Sequence, residues 1–313
     1  MKIYSSLIVL LAALTTQKGQ AQLNIVTPGD GIVEYTIQNA IPYDSLAPFH
    51  QSYHNYPKFP GQTLFFQGMK NDANGYPDAF FSENPLLGKA PTYHRMEEGP
   101  GNTAPDAVVG KYFQVIKVFC QHNSRYCFLL QEQQTGDEVY YIPSLMTTYN
   151  FICIGNYEKM KQLHVGKTFY ALGKRIGLVD GGTVQTKEKA EYKAVDMGVE
   201  LHGNGAYLIL DDGKGQRLQG IPYGHIVAGF VGKERRDSLI EKYGEDYGEK
   251  IAFQHVTEGM SQEMLTEAFG EPIRKETATF NGKSAEIWRY PEGYVIGVQD
   301  GKVVSARKNS YYW

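Results

Sequence analysis

A glycine turn that leads into an aromatic strand occurs three times in this chain of 313 residues. Each copy starts with a Pro-Gly or Val-Gly step and continues into a run rich in aromatic and β-branched residues, which predicts a short β-strand. The repetition favours a fold built from small β units. The three copies are Pro60–Phe66, Val109–Val115 and Val165–Ala171.

The second and third copies also continue alike, which predicts a repeated β unit. In each, an apolar strand, a second glycine turn and an Ile-Pro step follow in the same order. Chance similarity between β-hairpins is the alternative. The later copy is longer, so we expect it to carry an insertion at Gly177–Glu191. The matching stretches are Tyr126–Leu130 with Ala206–Leu210, Thr135–Asp137 with Asp212–Lys214, and Ile142–Ser144 with Ile221–Tyr223.

Units of about 50–60 residues with short strands and glycine turns predict small five-stranded barrels. We place one barrel at residues 106–158 and a second, with the insertion, at residues 159–230. In this pattern they resemble bacterial Src-homology-3-like barrels. The resemblance implies binding of peptides or cell-wall material through aromatics on one face, although the sequence carries no ligand-contacting motif of that family.

The first 22 residues have the outline of a secretory signal peptide. A positive start at Met1–Lys2 precedes an apolar stretch at Ile3–Leu14, and Gln20–Gln22 offers a small-residue cleavage site. The apolar stretch is shorter than the roughly 20 residues that span a bilayer. We therefore expect an exported protein, periplasmic or extracellular, that is not an integral membrane protein.

The charge balance argues against nucleic acid as a partner. Residues 1–22 contain Lys2 and Lys18, so their removal leaves 29 of the 31 basic residues against 34 acidic ones, a net charge of −5. An acidic chain lacks the basic surface that a phosphate backbone requires. About 290 mature residues also exceed one ordinary domain, so several units are expected.

Residues 23–105 are rich in Tyr, Phe, Pro, Gly and Asn, and this many helix breakers exclude long helices. We interpret the region as a further, elaborated barrel or as a loop-rich cap. If the region binds a ligand, exposed aromatic side chains should make the contact; the alternative is that these side chains fill a core. The candidate binding residues are Tyr53, Tyr56, Phe59, Phe80 and Phe81.

Three cysteines are expected to meet an oxidising compartment, where thiols tend to pair. Cys120 and Cys127 lie between two β-type runs, which predicts a disulfide across a hairpin; two buried thiols on neighbouring strands are the alternative. Cys153 is interpreted as a core residue. An odd cysteine is also a candidate nucleophile, which leaves the pairs Cys153 with His164 and Cys127 with His122. Neither pair is expected in a strand-to-helix setting that exposes a thiolate.

The remaining motifs predict neither a metal site nor a cofactor site. His50 and His54 are four residues apart, but neighbouring prolines argue against the helix that would bring both imidazoles to one metal ion. Residues 70–78 are rich in oxygen ligands, yet Lys70 would take the first ligand position of an EF-hand, so an Asn-Gly turn is predicted. Gly282–Ser284 is similar to the end of a phosphate loop but lacks the earlier glycine.

Helical periodicity appears only late in the chain. Lys233–Tyr243 predicts a solvated helix that stops at Gly244, and residues 247–256 predict another. Ser261 should cap a further helix that ends at Gly270. That helix places Met264, Leu265, Ala268 and Phe269 on one face. Strands are predicted at Lys275–Phe280, Ala285–Tyr290, Tyr294–Gln299 and Val303–Arg307, with hairpin turns at Asn281-Gly282 and Asp300-Gly301.

Several linked motifs across about sixty residues distinguish this α+β module, which we place at residues 231–313. They are Gly259–Ser261, Met264–Leu265, Phe269–Pro272, Ile287–Tyr290 and Val298–Val303. In order and spacing they resemble the SmpA/OmlA (BamE-like) family. The resemblance implies two helices on a three-stranded antiparallel sheet, a fold also seen in β-lactamase-inhibitory proteins, and protein–protein contact in the bacterial envelope without catalysis. Members of the envelope-assembly type are anchored through an N-terminal lipidated Cys, whereas no Cys lies near Ala21.

The sequence thus predicts a mainly β protein with an α+β C-terminus and no enzymatic activity. We expect a binding or scaffold protein of the cell envelope that acts by protein–protein contact, with an envelope protein or a cell-wall component as partner. Inhibition of a secreted or envelope enzyme is the alternative from a different class. A cell-wall hydrolase is a third, and a fold of this kind does not by itself separate the three.

Overall fold

The computed structural model describes residues 31–39, 43–49, 53–69, 74–77, 79–96, 101–122, 125–143, 151–203, 205–280 and 283–308. Within these ranges the chain is mainly β, as the sequence predicts, and it has three α-helices, of which the first was not predicted. The signal peptide predicted at residues 1–22 lies outside them. Among the described helices, none combines the length and the apolar composition that a membrane crossing requires.

Nine strands are described before the first α-helix. They are β1 (Ile32–Thr36), β2 (Thr63–Phe66), β3 (Tyr76–Pro77), β4 (Phe80–Phe81), β5 (Asn102–Thr103), β6 (Tyr112–Gln121), β7 (Arg125–Glu132), β8 (Glu138–Tyr141) and β9 (Phe151–Cys153). The first sheet has the order β4-β8-β7-β6-β2-β9, with β1 also paired to β6, and β3 pairs with β5. Strands from residues 23–105 and 106–158 share this sheet, so the boundary predicted at residue 105 does not separate two units.

A second seven-stranded sheet follows the helix α1 (Ile154–His164). Its region contains β10 (Thr168–Ala171), β11 (Arg175–Gly177), β12 (Thr183–Gln185), β13 (Glu191–Val199), β14 (Ala206–Asp211), β15 (Arg217–Gly220), β16 (Pro222–Tyr223), β17 (Ile226–Val227) and β18 (Phe230–Gly232). The sheet order is β15-β14-β13-β10-β18-β17-β16, and β11 with β12 forms a separate hairpin. The boundaries predicted at residues 158 and 230 fall inside α1 and β18.

The two sheets contain the same five-strand pattern. The order β8-β7-β6-β2-β9 in the first corresponds to β15-β14-β13-β10-β18 in the second. Leu64 of β2 lies opposite Cys153 of β9, just as Phe169 of β10 lies opposite Gly232 of β18. Cys153 and Gly232 are also the residues that precede a helix. The repeat predicted from the glycine turns is therefore present in the pairing.

A shared β-bulge fixes the alignment of the two copies. The amide of Gly61 donates to the carbonyl of Val115 at 2.7 Å, and the amide of Gly166 donates to the carbonyl of Ala194 at 2.8 Å. In both copies the bulge follows directly after the accepting residue. A bulge bends and twists its strand at one position, so its recurrence gives both copies the same curvature.

In this alignment the first copy of the repeated unit starts one strand earlier than predicted. Val165–Ala171 matches Pro60–Phe66, because both form the first strand, whereas Val109–Val115 leads into the second strand. Both copies therefore carry an insertion between these strands, at residues 67–111 and 172–190. The insertion expected at Gly177–Glu191 overlaps the second of these segments, which is the shorter of the two.

The helix that closes the first unit packs against the second sheet. Met160 of α1 is buried in the core of that sheet. The Tyr157 hydroxyl donates to the carbonyl of Met197 at 3.0 Å. The Nε2 atom of His164 lies 2.7 Å from the carbonyl oxygen of Gly224. Apolar burial and two polar contacts thus join the units through α1.

The helix α2 (Lys233–Ala252) joins the second unit to the C-terminal module in the same way. Gly244 has φ 79° and ψ 165° and divides α2 into two halves, which confirms the predicted helix stop. Leu239 and Ile251, one from each half, are buried in the core of the C-terminal module. The half after Gly244 ends at Ala252, four residues earlier than predicted.

The C-terminal module follows the predicted order of helix and strands. Ser261 caps α3 through a hydrogen bond from the amide of Met264 at 3.2 Å, and Gly270, with φ 75°, ends that helix. Asp300 and Gly301 have φ 50° and 76°, as a two-residue hairpin turn requires. The turn predicted at residues 281–282 lies outside the described residues. The elements are α3 (Gln262–Phe269), β19 (Arg274–Phe280), β20 (Lys283–Arg289), β21 (Tyr294–Gln299) and β22 (Lys302–Lys308).

The four strands form one antiparallel sheet in sequence order, where the family resemblance implies three. Its core contains the predicted helix residues Leu265 and Ala268 together with Trp288, and all three are buried, with Met264 and Phe269 packed at its margin. The 3.6-residue spacing of the α3 positions is sufficient to predict this face.

Candidate functional site

The five predicted binding aromatics do not form an exposed surface. Tyr56, Phe59 and Phe80 are buried in the core of the first sheet, with at most 7% of each exposed. Phe81 is partly buried, and the side chain of Tyr53 lies outside the described part of the chain. For the three buried residues the core-filling alternative is correct. The surrounding sequence is rich in Pro and Gly and lacks the periodic spacing of apolar residues from which the burial of these rings could have been predicted.

No disulfide joins Cys120 and Cys127, so the predicted bond is not formed. Cys120 lies opposite Tyr126 in the β6–β7 hairpin, whereas Cys127 lies opposite Phe119. This register is offset by one residue from a direct Cys–Cys pair, so the two thiols point to opposite faces of the sheet. Burial raises the pKa of the Cys127 thiol to about 12.

Cys153 lies at a strand-to-helix junction, which the sequence did not predict. It ends β9 and precedes α1. Burial raises the pKa of its thiol and outweighs the hydrogen bonds from the amides of Asn156 and Gly155. His164 lies at the other end of α1, about 16 Å away at 1.5 Å per residue, where its ring contacts Gly224. The predicted Cys153–His164 pair is therefore not brought together.

The other predicted reactive positions are also scattered. Cys127 is fully buried, whereas His122 is exposed in the β6–β7 turn. Within the described ranges, no three His, Cys, Asp or Glu side chains converge as metal ligands would. His50, the side chain of His54 and residues 70–73 of the oxygen-rich loop lie outside those ranges.

The C-terminal sheet is covered on one face by α2 and α3. Trp288, Ile296 and Val298 point to this face and are at most 2% exposed. Side chains alternate along a strand, so Ile287 and Val295 point to the other face. Both are only partly buried and lie outside the core cluster. We name this second surface the open face.

One end of the open face carries three arginines in line. Arg274 lies opposite Arg289, Arg289 lies opposite Val295, and Val295 lies opposite Arg307. The line crosses all four strands, with neighbouring side chains about 5 Å apart. We name Arg274, Arg289 and Arg307 the arginine row.

A single carboxylate bridges two members of the arginine row. Oε1 of Glu276 lies 2.8 Å from Nε of Arg274, and Oε2 lies 3.2 Å from Nη2 of Arg289. The hydrogen bond from Arg289 lowers the pKa of Glu276, which is therefore ionised at neutral pH. Among the described residues Arg307 forms no ion pair. The ion pairs described here thus set one carboxylate against two of the three guanidinium groups of the row.

The centre of the open face is flat. Gly297 lies opposite both Ile287 and Ser305. The Ser305 Oγ atom lies 2.5 Å from the point that a Cβ on Gly297 would take, so a side chain there would displace its neighbour. Ala278 and Ala285, which pair with each other, are also small. A low apolar centre beside guanidinium groups is typical of protein-binding surfaces, where arginine is enriched.

The sequence predicted these strands but not the open face. One signal was present in the sequence, because Arg289 directly follows Trp288 and its side chain must therefore point to the opposite face of the sheet. Finding the row also required the cross-strand register, which depends on the length of each hairpin. No protein-family model, curated protein or solved structure matches the chain.

Proposed function

We propose that this chain is an exported, non-enzymatic binding or scaffold protein of the bacterial cell envelope that acts by protein–protein contact through the open face. The observation that carries this proposal is the arginine row beside a flat apolar centre on a sheet whose other face packs against α2 and α3. The resemblance of residues 231–313 to the SmpA/OmlA family points the same way.

The open face suits a partner with carboxylates beside an apolar contact. Ile287 and Val295 would lose their remaining exposure to water on binding, which is favourable for apolar surface. The planar guanidinium groups of the arginine row offer paired donors that match carboxylate oxygens. Because Glu276 already engages two of the three arginines, Arg307 is the member best placed for a partner's carboxylate.

We further propose that each five-strand pattern is a small barrel of the Src-homology-3-like kind. The matching order, the matching bulge and the matching closing helix support this interpretation. In that arrangement two copies of one unit carry the C-terminal module, linked to it through α2. The barrels would then hold the open face at a fixed distance from the N-terminal region.

Charge insertion at the centre of the open face tests the proposal. Ile287→Lys should abolish capture of the partner, because an ammonium group cannot be buried in an apolar contact without a large desolvation cost. Ile226→Lys is the matched control, since Ile226 is 68% exposed on a hairpin of the second sheet. The measurement is crosslinking and mass spectrometry of the full chain in an envelope fraction. Equal capture of the same protein by both variants would contradict the proposal.

The same experiment separates the alternatives. A captured envelope component supports a scaffold, whereas a soluble enzyme whose activity falls on titration with the chain supports an inhibitor. Peptidoglycan turnover by the purified chain, lost in Cys153→Ala, would overturn both in favour of a hydrolase.

A further inference from the structure

The outer edge of β22 is already half occupied by another segment of the chain. The amide of Gly259 donates to the carbonyl of Val303 at 2.9 Å, and the amide of Val303 donates to the carbonyl of Met260 at 2.8 Å. Ser261 also forms an antiparallel bridge with Lys302. Residues 259–261 therefore act as a short fifth strand beside the start of β22.

Beyond Val303 this pairing stops. Val304–Arg307 lie at the edge of the sheet, next to β21. Among the described residues, no backbone hydrogen bond reaches them from the outer side. The Val304 side chain is 46% exposed, and the three residues after it are exposed as well. An exposed edge of this kind is a template for another extended strand.

The charge of β22 determines which kind of strand can pair with its outer edge. β22 carries Lys302, Arg307 and Lys308 and no acidic residue. A second copy of β22 would bring like charges together, which disfavours pairing. A residue that pairs opposite Arg307 would instead extend the arginine row by one position. A carboxylate at that position would meet the positive charge of the row.

We propose that an extended, acidic polypeptide segment adds to the sheet as a strand beside Val304–Arg307 and places a carboxylate next to Arg307. This inference rests on the proposed function and names the partner that the open face takes. Backbone hydrogen bonds bind the segment to the edge whatever its side chains are. The alternating side chains select for acidic residues on the side of the open face, because strand neighbours on one face are two residues apart.

Two synthetic peptides of about ten residues test the proposal on the full chain. One alternates Glu with Val, and the matched one alternates Lys with Val. We expect the Glu peptide to bind at least about tenfold more tightly in fluorescence anisotropy, with an affinity that falls as salt rises. Hydrogen exchange should slow at the amide of Ala306, which points away from β21, when the Glu peptide is present. Equal binding of both peptides, or no binding up to about 1 mM, overturns the proposal.

Protein variants test the position of the added strand. Ala306→Pro removes a backbone donor that points away from β21 and should abolish binding, whereas Ala306→Thr keeps strand propensity and should retain it. Arg307→Glu should reverse the preference toward the Lys peptide. Unchanged binding in Ala306→Pro, or an unchanged preference in Arg307→Glu, overturns the inference even if partner capture still depends on Ile287. Loss of that dependence would instead overturn the proposed function.

Self-association is the remaining outcome. A dimer of the full chain in sedimentation, lost in Ala306→Pro, would show that the edge takes a second copy and would overturn the acidic segment as its occupant. A monomer that binds the Glu peptide supports it.

Discussion

At the scale of single residues, one acidic side chain closes the same turn in both copies of the repeated unit. Glu132 is fully buried, and its carboxylate accepts from the amides of Gln134 and Thr135 at 2.9 and 2.8 Å. At the equivalent position Asp212 accepts from the amides of Lys214 and Gln216 at 2.8 and 3.0 Å. A side chain that satisfies turn amides removes the cost of leaving them unpaired.

Glu132→Ala should therefore lower the free energy of unfolding by about 1–3 kcal/mol, because the turn amides of Gln134 and Thr135 lose a charged acceptor. Glu138→Ala is the control, since Glu138 is exposed on the same hairpin. Chemical denaturation of the two variants measures the difference. An equal loss in both would contradict the assignment of the turn to the Glu132 carboxylate.

The same carboxylate makes stability depend on pH. Burial by itself would raise the pKa of Glu132, but hydrogen bonds from Gln134 and Thr135 outweigh burial, and the pKa is lowered. The ionised form therefore stabilises the fold above the pKa of an unfolded glutamate, about 4.3, and this contribution is lost as pH falls through the lower folded value. Comparison of Glu132→Gln with the natural chain between pH 7 and pH 3 should show a smaller loss of stability in the variant.

The thiols provide a second test at this scale. Cys120, Cys127 and Cys153 are each at most 2% exposed, so alkylation of the native chain should be slow at all three. Unfolding should make all three react without prior reduction, because none is in a disulfide. A non-reduced, unfolded chain that takes up only one label would contradict the register of the β6–β7 hairpin.

At the scale of elements, the two halves of α2 contact each other closely at Gly248. A Cβ on Gly248 would lie 2.5 Å from the Cα of Ile240 and 2.7 Å from the carbonyl carbon of Leu239. Only backbone atoms stand there, so they cannot rotate away. Gly248→Ala should reduce stability by about 1–3 kcal/mol, as overpacking does. Glu245→Ala, exposed on the same half of α2, should leave the denaturation midpoint nearly unchanged.

A charged network holds α2 against the second unit. Glu249 is bonded to Lys189 at 2.9 Å and also to Arg236, whose guanidinium lies 5.2 Å from the ring centre of Tyr170. Glu249→Gln should cost about 1–2 kcal/mol, less than a fully buried pair, since water partly screens both cations. Glu241→Gln, exposed on the first half of α2, is the control. Equal unfolding curves would mean that the network does not stabilise this junction.

Elements with local signals were predictable from sequence, and those that depend on distant pairing were not. Ser261, Gly270 and the Asp300-Gly301 turn each act on their own neighbours, so the C-terminal strands were placed correctly. The three glycine turns look alike, and nothing local indicates which strand becomes which neighbour in the sheet. The open face required both the strands and their register, so the sequence contained the arginines without showing that they align.

At the scale of the whole molecule, α1 and α2 make each unit depend on the next. Met160 lies in α1, which follows the last strand of the first sheet, but it packs in the core of the second unit. Met160→Ala should therefore cost about 2–4 kcal/mol and speed hydrogen exchange in β13 and β14 as well as in α1. Glu158→Ala, exposed on α1, is the control. Faster exchange confined to α1 would show that the units unfold independently.

Because α1 and α2 each pack against the unit that follows them, they also set an order for assembly during synthesis. When residue 164 has been made, α1 has no second sheet to cover Met160, and α2 is in the same position until β19–β22 exist. A chain that ends after α1 therefore leaves Met160 uncovered, and a chain that ends after α2 leaves Leu239 and Ile251 uncovered. Exposed apolar side chains promote aggregation, so chaperone binding to the growing chain should be strongest at these two lengths.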